Sequence, residues 1–179
     1  MAKLRKWTAY RRLERPYTRI SKYMKKSYIR ITPHIKIPRF NMGNTKKQFP
    51  VYVHLISKED LQIRENALDS ARTTCNKLLE STLTLANYHL LIRVYPHHVL
   101  RENPLASGAG ADRMSTGMSQ AFGKPIGMAA RIRKGQPIFT VGVENTKEAI
   151  KTATEALRKA RTKLPKGCII SIELKEKKK

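Results

Sequence analysis

Two adjacent histidines, His97 and His98, follow Pro96, and Asp112 lies further along the chain. Groups of this kind could cleave RNA by general acid–base chemistry, which needs a base and an acid within hydrogen-bond reach of the reacting atoms. Successive side chains of a strand point to opposite faces, so the two imidazoles converge only where Pro96 distorts the backbone. No nucleophile, metal cluster or second acid accompanies them, and contact with phosphate or base, or plain packing, is favoured. The run Gly108-Ala109-Gly110-Ala111-Asp112-Arg113 lacks the third glycine and the following helix of a dinucleotide fingerprint. Gly123-Lys124-Pro125 departs from a phosphate-binding loop at Pro125, where a hydroxyl should hold magnesium. What the glycines permit is positive φ and close backbone approach, which suits a loop laid against RNA. Cys75 and Cys168 have no cysteine or histidine close by, whereas structural zinc takes about four N or S ligands. They read as two small packed thiols. No metal or cofactor is expected.

Charge is the stronger chemical signal. Lysine and arginine number 37 against 13 acids, a net +24. Self-repulsion on that scale penalises a compact chain unless a polyanion offsets it. No stretch approaches the roughly 18 apolar residues of a membrane-spanning helix. Trp7-Thr8-Ala9-Tyr10-Arg11-Arg12 interrupts any signal-peptide core after the basic start, so a cytoplasmic location is expected. Residues 1–50 carry fifteen lysines and arginines against Glu14 alone, more than half of the net charge. Trp7, Tyr10, Tyr17, Tyr23, Tyr28, Phe40 and Phe49 are interleaved with them. Cations neutralise phosphates with release of counterions, and aromatic rings stack on unpaired bases at about 1–3 kcal/mol each. Both together point to folded RNA, whose loops expose bases that duplex DNA hides. Apolar periodicity is poor before Ile29, so residues 1–50 are expected to form an irregular arm ordered mainly by its partner.

Globular patterning starts at Val51. Residues 51–56 read as a strand, and Ser57 with Asp60 as the opening of a helix. Leu61, Leu68, Ala71, Cys75, Leu78 and Leu79 form its apolar face, ending near Ser81. Residues 88–95 are a second strand, interrupted by Pro96 and continued by 99–101. Residues 102–127 lack periodicity and hold five of the nine glycines, a long loop that points to function. Residues 128–132 and 137–143 flank Lys134-Gly135 as a hairpin. Asn145 and Glu148 open a second helix with the stripe Ala149, Ile150, Ala153, Leu157, Ala160 and Leu164, ended by Pro165 and Gly167. Residues 168–174 form a last strand, and 175–179 a basic tail. The organisation predicted is an arm (1–50), a globular domain (51–174) containing loop 102–127, and the tail. The fold class is α+β, a mixed sheet covered by two amphipathic helices.

The ordered motifs Pro96-His97-His98-Val99-Leu100-Arg101, Gly108 to Arg113, Thr116-Gly117-Met118 and Ala121-Phe122-Gly123-Lys124-Pro125 with Gly127 closely resemble the universal large-subunit ribosomal protein sixteen family of archaea and eukaryotes, the "L ten-e" type. Arg15-Pro16-Tyr17 agrees, and the resemblance runs along nearly the whole chain. The first dozen residues and the short tail depart from the eukaryotic pattern, the tail in the archaeal direction.

The resemblance implies an α/β-hammerhead fold and a structural, non-catalytic role in the large subunit, between the peptidyl transferase centre and the tRNA elbow. Expected partners are large-subunit rRNA, the acceptor end and elbow of tRNA, neighbouring ribosomal proteins and subunit-maturation factors. Expected RNA contacts in the arm are Arg5, Lys6, Trp7, Tyr10, Arg11, Arg12, Arg15, Tyr17, Arg19, Lys22, Lys25 and Lys26. Beyond it they are His97, His98, Arg101, Arg113 and Lys124. The tRNA-proximal loop implied comprises Glu102, Asn103, Pro104, Leu105, Ala106, Ser107, Gly108, Ala109, Gly110, Ala111 and Asp112. Its acids, Glu102 and Asp112, are expected to keep it from clamping onto RNA backbone. An RNA-acting enzyme or maturation factor using His97 or His98 is the competing reading.

Overall fold

The computed structural model describes residues 5–18, 23, 33–105, 108–110, 113, 115, 117–118, 121–165 and 167–174. Strand β2 (Val51–Ser57) buries every second residue, so its β-branched and leucine side chains enter a core while Tyr52 and His54 face outward. It lies inside a five-stranded antiparallel sheet with β1 (Asn41–Gly43), β4 (Tyr88–Ile92), β7 (Pro137–Val143) and β8 (Cys168–Leu174), in the order β1-β4-β7-β2-β8. Helices α1 (Glu65–Thr82) and α2 (Lys147–Arg161) pack on its apolar face. The α1 stripe of Leu68, Ala71, Cys75 and Leu79 is fully buried, and the small Ala149, Ala153, Ala156 and Ala160 of α2 let the helices approach closely. Burial pushes the Cys75 thiol up to about 12, which leaves it inert and matches the packed-thiol reading. A second antiparallel sheet has the order β3-β6-β5, from β3 (Leu61–Arg64), β6 (Lys124–Ile132) and β5 (His98–Glu102).

The α+β class stands, but the mixed sheet does not. Every ladder among the described residues is antiparallel, in two sheets. The hairpin about Lys134-Gly135 is also corrected, because β6 pairs with β3 and β5 while β7 pairs with β4 and β2. The turn hands the chain from one sheet to the other. It is held by Gly135 N–H to the Ser57 carbonyl at 2.8 Å and Lys134 N–H to Asp60 Oδ1 at 2.6 Å. Those bonds also explain why no helix opens at Ser57: Ser57 and Asp60 shape a turn, Leu61–Arg64 extends as a strand, and α1 begins at Glu65. The continuation beyond Pro96 is β5, in the second sheet. At α2 the capping oxygen is Thr146 Oγ1, which accepts Ala149 N–H at 3.3 Å.

The core also reaches N-terminal of Val51. Ile37, Met42 and Phe49 are buried, and β1 pairs with β4. Gly43 makes that pairing possible: its φ is +81°, and a Cβ there would collide with the Tyr88 carbonyl.

Candidate nucleic-acid interface

The three-stranded sheet exposes two edges, β3 and β5, and the N-terminal segment closes on both. At β3, Gln62 N–H donates to the Arg11 carbonyl at 3.1 Å. The Gln62 side-chain amide donates to the carbonyls of Tyr10, at 3.2 Å, and of Arg12. Trp7 Nε1 donates to the Gln62 carbonyl at 3.4 Å. At β5, Val99 N–H donates to the Tyr17 carbonyl and Tyr17 N–H to His98 Nδ1, both at 3.0 Å. Free sheet edges invite aggregation, and this segment satisfies them without becoming a strand itself. A glutamine between Leu61 and Ile63 was the signal in the sequence, and periodicity alone passes over it.

Tyr10 is the anchor. One turn of 3-10 helix, Trp7–Tyr10, aims its ring into a small cluster with Leu100 and Ala129. Its hydroxyl donates to Glu102 Oε1 and accepts Arg5 N–H at 3.2 Å, while Arg5 Nε lies 2.9 Å from Glu102 Oε2. Burial, then the Glu102 hydrogen bond, raises the Tyr10 hydroxyl above its ordinary pKa. Beyond a register shift between Leu100 and Arg101, the Arg101 guanidinium sits 3.7 Å from the Tyr17 ring centroid and 3.8 Å from that of Phe122, a doubly cation–π contact. Gly123, at φ +77°, lets the loop return past Glu102, whose carbonyl carbon would lie 2.7 Å from any Cβ.

These contacts correct several expectations. Tyr10 and His98 are buried, so neither offers a free face to a base, and Tyr17 is half-buried against His98, Phe122 and Arg101. Glu102 is a buried acceptor at the end of β5, not a loop acid repelling RNA. Lys124 opens β6, which ends the loop earlier than residue 127. Trp7 is half-buried beneath Arg11, which also pairs with Glu59 at 3.0 Å. Lys6, Arg12, Arg15, Arg113, Lys124 and His97 are exposed, whereas Arg101 is half-buried. Asn103 binds the Gly117 carbonyl at 3.3 Å; Pro104, Leu105, Gly108, Ala109 and Gly110 are exposed. Arg19, Lys22, Lys25, Lys26, Ala106, Ser107, Ala111, Asp112 and the tail 175–179 lie outside the described residues.

No acid–base pair is assembled from the histidines, since His97 faces out and His98 in. Burial, helped by Arg131 and Arg101, pushes His98 down to about 4. An acceptor at Nδ1 also requires the neutral ring. Unfolded His98 binds a proton that folded His98 refuses, so this stabilisation is complete above about pH 6.5 and is lost as pH falls towards 4. Between pH 7 and 5 the parent should lose about 2 kcal/mol, roughly 4–8 °C in Tm, more than a His98→Gln variant, whose amide oxygen still accepts Tyr17 N–H. Parallel melting curves at both pH values check this; equal losses refute it.

A family profile described as ribosomal protein L16p/L10e matches residues 6–171. The large ribosomal subunit protein uL16 of Methanococcus aeolicus is 48% identical over 169 residues, 94% of each chain. Its counterpart in Archaeoglobus fulgidus is 47% identical over 164 residues, covering 92% of this chain and 90% of its own. That of Staphylothermus marinus is 50% identical over 153 residues, covering 84% and 87%. The profile match extends from the docked N-terminal segment through the glycine-rich loop and into β8, and with these identities the chain belongs to the ribosomal protein L16p/L10e family.

Proposed function

We propose that this protein is a non-catalytic structural constituent of the large ribosomal subunit in the cytoplasm, where it binds rRNA near the peptidyl transferase centre and helps to position tRNA. Likeness along nearly its whole length to relatives named large ribosomal subunit protein uL16 carries the reading. The geometry agrees with it. Cations Lys6, Arg12 and Arg15 ride on a segment bonded to two sheet edges, so they meet phosphates from a positioned backbone and lose little entropy on binding.

In this reading the two sheets and helices form an α/β hammerhead, and the basic arm of residues 1–50, whose described parts dock on both sheets, presents its cations to rRNA. Arg19, Lys22, Lys25, Lys26, Arg113 and Lys124 add phosphate contacts. The stretch 102–112 of the loop that leaves β5 reaches towards the acceptor end and elbow of tRNA, from a mouth set by Glu102, Phe122 and Gly123. Neighbouring ribosomal proteins and subunit-maturation factors are its protein partners. Sedimentation of a native lysate tests the core of this: the protein should travel with large subunits and leave that fraction after ribonuclease. A chain that remains at the top of the gradient without nuclease treatment refutes it.

A further inference from the structure

Away from the docked segment, three aromatic rings meet on the surface between β4 and β5. Phe40 and Tyr95 are stacked, with centroids 5.4 Å apart and planes at 22°. Tyr95 in turn meets His97 at 5.0 Å and 59°. A hydrogen bond from Ile92 N–H to the Phe40 carbonyl at 2.9 Å ties the two chain segments together. Burial alternates through the run, with Val94 and Pro96 inside and Arg93, Tyr95 and His97 outside. The alternation turns Tyr95 outward, and it keeps 46% of its surface exposed although it contacts two other rings. The exposed charged and ionisable side chains of residues 33–40 and 93–97 are His34, Lys36, Arg39, Arg93 and His97, with no carboxylate among them. Beside the rings opens a cleft of about 500 Å³ lined by Thr18, His34, Ile35, Tyr95, His97 and Met128.

We propose that Tyr95 and His97, backed by Phe40 and fringed by Arg39 and Arg93, form a stacking platform for one unpaired RNA base. Phe40 stacks on one side of the Tyr95 ring, and a ring so held, with nearly half its surface exposed, offers area to a base and has little side-chain freedom left to lose. The cationic fringe suits the phosphates on either side of a splayed nucleotide. It disfavours a protein partner's basic tail, and neither of these two stretches carries an acid to repel RNA. The platform rests on the ribosomal reading above and specifies a contact which that reading lacks.

The test measures binding of the full chain to its large-subunit rRNA across a salt series, together with chemical probing of the bases in the complex. Tyr95→Ala should weaken binding about 5- to 100-fold, as loss of one stacked base predicts, with the salt slope unchanged because no phosphate contact is removed. Tyr95→Phe should bind like the parent. Arg93→Gln should instead lower the slope by about 0.7–0.9. One unpaired base, protected in the parent complex, should become reactive with Tyr95→Ala while the backbone footprint persists. Equal binding by Tyr95→Ala, or a Tyr95→Phe defect as deep as the alanine, overturns the platform. Should the parent chain itself not bind this rRNA, the ribosomal reading falls, and the platform with it.

Discussion

Replacing Lys6, Arg12 and Arg15 together by glutamine is expected to weaken binding to large-subunit rRNA on the order of 10²–10³-fold at moderate salt. All three are exposed, and among the described residues none joins an ion pair, so their charges are available to phosphate. A charge-assisted contact contributes about 1.5 kcal/mol or more, close to tenfold each. Log affinity against log salt should flatten by about 2–3 for the three lost contacts. Folding should be untouched, because Tyr10, Arg5 and the backbone bonds to Gln62 remain. Filter binding over a salt series, with a melting curve of the free variant, checks both halves. An unchanged slope would place the phosphate contacts elsewhere.

Tyr10→Ala should cost about 3–5 kcal/mol of stability, the range for deleting a buried aromatic ring. The ring packs on Leu100 and Ala129, and its hydroxyl is a direct partner of the buried Glu102 carboxylate. Its removal leaves that carboxylate to Arg5, whose side chain is itself 64% exposed and only weakly holds it. Tyr10→Phe separates the two contributions: the ring stays, one buried hydrogen bond goes, and a loss of about 1–3 kcal/mol is expected. Urea titration measures the stabilities. Limited proteolysis reports the structural consequence, since Tyr10→Ala should release residues 5–18 to cleavage while the five-stranded sheet stays resistant. Parent-like stability of Tyr10→Ala would show that this segment is not anchored by its tyrosine.

Local patterns were legible wherever one face of an element alone decides its state. Val51, Val53 and Leu55 alternate because β2 is covered on one side, and Leu68, Ala71, Cys75 and Leu79 recur at helical spacing because α1 is too. His97, just before β5, is exposed and His98, its first residue, is buried, the alternation expected of neighbouring residues there. The last strand, Cys168–Leu174, keeps its expected bounds. The start of α1 was misread because Ser57 and Asp60 carry the residue types of a cap, while their real partners, Glu59 and Lys134, are chosen by the turn.

A basic α+β protein with two amphipathic helices, its positive charge crowded into the first fifty residues, and its kinship are all written in the order of residues. Periodicity and charge are properties of neighbours along the chain, so they survive without a structure. Folding in three dimensions sets the rest: β6 and β7 join different sheets, Gln62 and His98 pin residues 11 and 17 to opposite sheet edges, and Glu102 is an interior anchor for Tyr10. Each of those contacts links residues 50 or more apart in sequence or selects among competing strand edges. The choice is made by burial and by the pairing of enclosed polar groups, and neither condition exists until the chain has closed on itself.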